Sequence, residues 1–279
     1  MKRLLWAAVV GGFLSFGAQA QEDFHMPKPS PTVHVDQEFS TSFIKLDYSR
    51  PGVKGRSVFG NLIPYGEVWR TGANSATTIS FGEELLLDGH PIKAGTYALY
   101  TIPDKDQWTV ILNKGVDNWG ASGFDKKEDV LEFKVPVKHL TDPQESFRIS
   151  LENLRKNSAD LVITWADVQI AIPIEAHNNE RILRHLAKQL KGDQPPYAAA
   201  ASYYLSTDQK LDDALKYINK VIEKNPKTYY LYWTRAQIYQ KLDKPDKALD
   251  AAKKAAELAK GTAFEYEYQH HYETLKKEK

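Results

Sequence analysis

The residues best suited to chemistry lie between Asp47 and Thr78, in the run DYSRPGVKGRSVFGNLIPYGEVWRTGANSATT. Arg50, Lys54, Arg56 and Arg70 share this run with two acids, Asp47 and Glu67. Guanidinium forks match the paired oxygens of carboxylate, phosphate and sulfate, and Tyr65 and Trp69 could set an aromatic face beside them for a sugar or an apolar ring. Five glycines and two prolines in the same run disfavour regular structure. An irregular stretch this long inside a compact domain is usually either functional or packed on itself. Two uses of the arginines therefore compete. In one, Arg50, Arg56, Tyr65, Trp69, Arg70 and Asn74 bind a ligand, joined by Trp119 from a second polar loop, NKGVDNWG, at residues 113–120. In the other, the arginines donate to loop carbonyls that have no ladder partner, while Trp69 and Tyr65 plug the loop onto the sheet below.

Familiar catalytic patterns are missing. The chain has no nucleophile elbow, no His-Glu-x-x-His zinc motif, no phosphate-binding glycine loop and no spaced aspartates for calcium. The absence of Cys removes thiol nucleophiles, thiolate metal sites and disulfides together. Eight histidines are scattered, and His270 and His271, being adjacent on a helix, cannot face one metal. No metal and no cofactor is expected. A hydrolase would have to use a loop carboxylate, Glu67 or Asp117, as general acid or base with the arginines stabilising an anion. With 37 basic and 36 acidic residues the net charge is +1, which provides no long-range field for collecting nucleic acid.

The elements that would position these residues are strands. Thr32 to Phe39, Thr41 to Tyr48, Thr77 to Phe81, Glu84 to Leu87, Tyr97 to Ile102 and Trp108 to Asn113 are short runs rich in β-branched and aromatic residues. Further strands are expected at Val130 to Val137, Phe147 to Leu151, Leu161 to Trp165 and Val168 to Ile174. Asp88-Gly89 reads as a tight hairpin turn. No helical pattern separates the strands, so an antiparallel β-sandwich over residues 32–175 is expected rather than a parallel α/β sheet.

Both flanks differ from this domain. Lys2 and Arg3, the apolar stretch Leu4 to Phe16 and Ala18-Gln19-Ala20 form a secretory signal pattern over residues 1–20, and a proline-bearing linker over 21–31 follows. An exported protein, most simply periplasmic and not integral to a membrane, is the expectation. From residue 176 to 279 the period becomes helical, with Leu183, Leu186 and Leu190 on one face. Lys210, Asp212, Ala214 and Leu215 recur at a spacing of 34 residues as Lys244, Asp246, Ala248 and Leu249. That is the tetratricopeptide period, so helical repeats closed by a capping helix at Ala263 to Lys279 are expected, serving either a protein or peptide partner in their groove or, since two repeats are few, packing that stabilises the sandwich or a dimer.

The runs DYSRPGVKGRSVFGNLIPYGEVWRTGAN, GHPIKAGTYALYTIP, WTVILNK and DNWG resemble the bacterial exported family termed domain of unknown function 2911, from about Ser30 to Ile174. The resemblance implies an envelope or periplasmic β domain, sometimes joined to helical repeats, and brings no catalytic residues to carry over. The function expected is a non-catalytic envelope protein whose β domain binds an anionic or sugar-containing ligand and whose helices bind a partner. An envelope hydrolase and a purely structural scaffold are the alternatives.

Overall fold

The computed structural model describes residues 26–278, so the leader expected at residues 1–20 and the first half of the linker lie outside the described residues. The chain divides into two compact units, one ending at His177 and the other beginning at Asn178. The described residues of the first unit form ten strands: β1 (Thr32–Phe39), β2 (Ser42–Ser49), β3 (Thr77–Phe81), β4 (Leu85–Leu87), β5 (His90–Ile92), β6 (Gly95–Ile102), β7 (Gln107–Asn113), β8 (Asp129–Pro136), β9 (Lys138–Glu152) and β10 (Ser158–Glu175). They form a six-stranded sheet in the order β1-β2-β3-β6-β7-β8 and a four-stranded sheet in the order β5-β4-β10-β9. Every pairing between these strands is antiparallel.

One core serves both sheets. Ile44, Leu46, Ile79, Leu99 and Leu112 from the larger sheet are buried in the same cluster as Ile149, Ile163, Ile170 and Ile172 from the smaller. The period-two pattern of a strand decides which side chains enter it. In β2, Ile44, Leu46 and Tyr48 point inward and are buried, which turns Phe43, Lys45 and Asp47 outward. Asp47 therefore stands on the outer face, opposite His34 of β1 and paired with its imidazole.

Two strands run longer than their sequence pattern suggests. Leu161 to Trp165 and Val168 to Ile174 belong to one strand, β10, because Ala166 takes a left-handed backbone (φ 50°) and absorbs the change of register against β9 as a bulge. β9 begins at Lys138 rather than near Phe147. Its Pro143 is tolerated because β9 lies at the edge of its sheet and the residues between His139 and Gln144 have no register partner on β10.

The second unit consists of α1 (Asn179–Gln189), α2 (Tyr197–Ser206), α3 (Leu211–Lys224), α4 (Tyr229–Lys241), α5 (Pro245–Ala259) and α6 (Glu265–Glu278). Pro245 opens α5 at the first helical turn, where its lost N–H has no intrahelical partner anyway. In α5, Ala248, Ala251, Ala252, Ala255, Ala256 and Ala259 are all buried, so the helix approaches its neighbours through methyl groups. Among the described residues no helix is long and apolar enough to cross a membrane.

Candidate functional site

The segment joining β2 to β3, residues 50–76, carries most of the residues singled out by their chemistry, and it is pinned at many points. Trp69 and Thr101 exchange backbone hydrogen bonds of 2.8 and 2.9 Å, Gly66 N–H donates to Pro103 O, and Phe147 N–H donates to Pro51 O. Trp69 is 6% exposed and belongs to an aromatic cluster with Phe59, Trp108, Phe147 and Trp165, stacking on Trp165 at 5.8 Å. Its indole N–H donates to Gly72 O at 3.0 Å. Trp69 thus plugs the segment into the core, and only part of it borders solvent-filled space.

The three arginines divide between the two uses. Arg50 Nε donates to Phe147 O at 2.8 Å, and Arg50 lines neither of the cavities described below. Arg56 donates from Nε to Val53 O at 3.0 Å and from Nη2 to Gly52 O at 2.6 Å, closing its own turn. Arg70 is different: its Nε is buried and has no hydrogen-bond partner. Its guanidinium crosses Gly120, where an added Cβ would lie 2.6 Å from Nη1, so a glycine at this position leaves the space the side chain occupies.

Arg70 lines a cavity of about 460 Å³ together with Lys54, Arg56, Trp69 and Trp165. Among the described residues no acid lines it. The Glu145 carboxylate, beside the lining residue Gly52, accepts from the Lys54 backbone N–H at 2.9 Å. Trp165, 2% exposed, contributes a second buried donor without an acceptor, its Nε1. Beside Arg70 the backbone of Thr71 is left-handed (φ 52°), an unfavourable conformation for a β-branched residue. It is held there by Thr101 Oγ1, 3.1 Å from its hydroxyl, and by Thr77 Oγ1, which donates to its carbonyl at 2.6 Å.

A second cavity, of about 500 Å³, adjoins the outer face of β2. Trp119 lines it and is 69% exposed, and Asp47, Ser49, Asn74, Ser75 and Thr78 supply polar groups. Asn74 Nδ2 donates to Ser30 O at 3.1 Å and to Ser49 Oγ at 3.0 Å, which fixes the chain before β1 as a wall. Trp119 is held by a bridge to Ser75, and Asn118 Nδ2 donates to Tyr100 Oη at 3.1 Å and to Gly123 O at 3.0 Å. At the base of this loop Asn113 Nδ2 donates to Asp129 Oδ1 at 2.7 Å and to Asp125 O at 2.9 Å. Burial pushes the Asp129 carboxyl above its ordinary range, against the lowering effect of the Asn113 hydrogen bond. Tyr65 is 37% exposed and lines neither cavity.

Of the seven residues picked out by chemistry, Arg56, Trp69 and Arg70 meet at the first cavity and Asn74 and Trp119 at the second, while Arg50 and Tyr65 lie apart from both. Sequence reasoning missed Trp165, whose place in a strand marked it as core, and the wall at Pro29 and Ser30, which reads as linker. The glycine immediately after Trp119 was the available signal for the close approach of Arg70. Glu67 and Asp117, the carboxylates a hydrolase would need, are exposed and line neither cavity. Among the described residues no group of three or more His, Cys, Asp or Glu is placed to hold a metal.

The first unit is therefore a pair of antiparallel sheets carrying a cation-lined cavity on its longest loop. The chain belongs to the family described as protein of unknown function (DUF2911), which matches residues 30–174, a span that contains both cavities almost entire. No curated protein and no solved structure matches the chain.

Proposed function

We propose that the β unit is a non-catalytic binding module for a small anionic ligand, in a protein exported to the cell envelope or periplasm. The observation that carries this reading is the pair of buried donors without acceptors, Arg70 Nε and Trp165 Nε1, on residues that line one cavity. Leaving such a donor unmet costs on the order of 1–3 kcal/mol, more when it is charged. An anion in the cavity would meet the guanidinium of Arg70, and Lys54 and Arg56 add positive charge with no lining acid among the described residues to offset it. The strained Thr71 beside Arg70 fits the same reading, since backbone strain persists where the surroundings hold a residue in place for function. Binding is favoured over hydrolysis by the position of Glu67 and Asp117 outside both cavities. Export rests on the charged start, apolar stretch and small-residue pattern of residues 1–20.

In this reading the helices form tetratricopeptide-like repeats that bind a protein partner. Ala214 and Ala248, equivalent at the 34-residue spacing, are 0% and 1% exposed, which supports close helix contacts at both positions.

The test is thermal protection by inorganic phosphate at constant ionic strength, with chloride as the control. The expected result is a phosphate-dependent rise in melting temperature of the full-length protein that is lost in Arg70→Gln. Equal protection in wild type and Arg70→Gln, or none beyond chloride in wild type, would overturn the assignment.

A further inference from the structure

Three segments form walls of both cavities. Pro29 and Ser30 line each of them. Ala73 lines the Arg70 cavity and its neighbour Asn74 the other, while Ala121 and Trp119 are divided in the same way on either side of Gly120. The guanidinium of Arg70 lies against that Gly120. Trp119 directly precedes this glycine, so the exposed indole and the guanidinium are brought to neighbouring positions along the chain. The two cavities therefore share a wall and differ in chemistry.

The cavity beside Trp119 suits a sugar ring. Trp119 is the one tryptophan among the described residues that is mostly exposed, and an exposed indole on a cavity wall offers a flat face to the C–H side of a pyranose. Around it stand the carboxylate of Asp47 and the hydroxyls of Ser49, Ser75 and Thr78, the donors and acceptors that hydroxyl groups require. Asp47 comes from an outward position of β2, so the sheet itself supports it.

Resting on the anion-binding reading above, we infer that the ligand is an acidic saccharide. Its carboxylate or phosphate enters the cavity of Arg70, and its ring lies against Trp119. This assigns Trp119 and Asp47 to ring recognition and Arg70 to the charged substituent, and it explains why an exposed tryptophan and a half-buried arginine with an unmet Nε meet at one glycine.

The experiment is calorimetric titration of the full-length protein with galacturonate disaccharide, N-acetylmuramic acid, glucose 6-phosphate, neutral maltose and inorganic phosphate. At least one acidic sugar should bind more tightly than both phosphate and maltose. Trp119→Ala should lower affinity for that sugar by roughly tenfold, the scale of a lost ring contact, and leave phosphate binding unchanged. Arg70→Gln should lower affinity for the acidic sugar and phosphate alike. Sugar affinity unaffected by Trp119→Ala, or acidic sugars that bind no better than phosphate, would overturn the saccharide assignment while leaving the anion site standing. Phosphate binding unaffected by Arg70→Gln would instead remove the reading on which it rests.

Discussion

Replacing Arg50 and Arg70 by Gln should have opposite consequences for folding, although both residues are half-buried cations of one loop. Arg50 Nε satisfies the carbonyl of Phe147, a residue with no exposed surface, at 2.8 Å. A hydrogen bond from a charged donor contributes about 1.5–3 kcal/mol, and shortening the side chain leaves the carbonyl without it. Arg50→Gln should therefore cost about 2 kcal/mol. For a unit of this size, 1 kcal/mol corresponds to roughly 2–4 °C in melting temperature, so a fall of about 4–8 °C is expected. Arg70→Gln removes a buried donor that has no acceptor and separates it from the charges of Lys54 and Arg56. Its melting temperature should stay within about 2 °C of wild type or rise. Near-ultraviolet circular dichroism at its long-wavelength edge, where tryptophan dominates, weights the relevant transition, because Trp69, Trp108 and Trp165 pack together in the β unit. Equal destabilisation by both variants, in the absence of added anions, would refute the division of the arginines into a brace and a ligand contact.

Two further outcomes follow from packing and charge elsewhere. Ala248→Leu places three extra carbons at a fully buried helix contact and should cost about 1–3 kcal/mol, lowering the far-ultraviolet melting of the helices while the near-ultraviolet signal of the β unit is spared; an unchanged helical transition would count against the repeat register. Asp129, whose carboxyl burial raises above its ordinary value of 3.8, is favoured in its protonated form by folding, so its contribution is fully present below that value and is lost as pH rises through the raised one. Asp129→Asn should remove this loss, so that urea denaturation gives a stability difference, variant minus wild type, that grows more positive across that window; a difference independent of pH would show that Asp129 does not titrate differently on folding.

Much of the β unit was legible because alternating side chains reveal a half-buried strand wherever one face is apolar. The run Ser42 to Ser49 is such a case, and its inward Ile44, Leu46 and Tyr48 are all buried. The join of two expected strands into β10 was not, since it depends on the left-handed Ala166, which carries no sequence signal of its kind. The arginines were legible as a cluster but not as individuals. Which of them meets a carbonyl depends on where Phe147, far away in sequence, presents its backbone. Trp165 was hidden for a related reason: an inward strand position predicts burial of the ring but says nothing of whether its N–H finds an acceptor.

The six buried alanines of α5 also bear on how the helical unit responds to temperature. Alanine loses no rotamer entropy on burial, so this helix docks at almost no conformational cost from its side chains. The same methyl groups uncover little apolar area when the helix undocks, and the heat capacity of unfolding follows that area. A segment packed through alanine therefore adds less curvature to the stability profile than one packed through the indole and phenyl rings of the β unit. The stability contributed by α5 would therefore change more gently on cooling than that of an aromatic-packed segment of equal length.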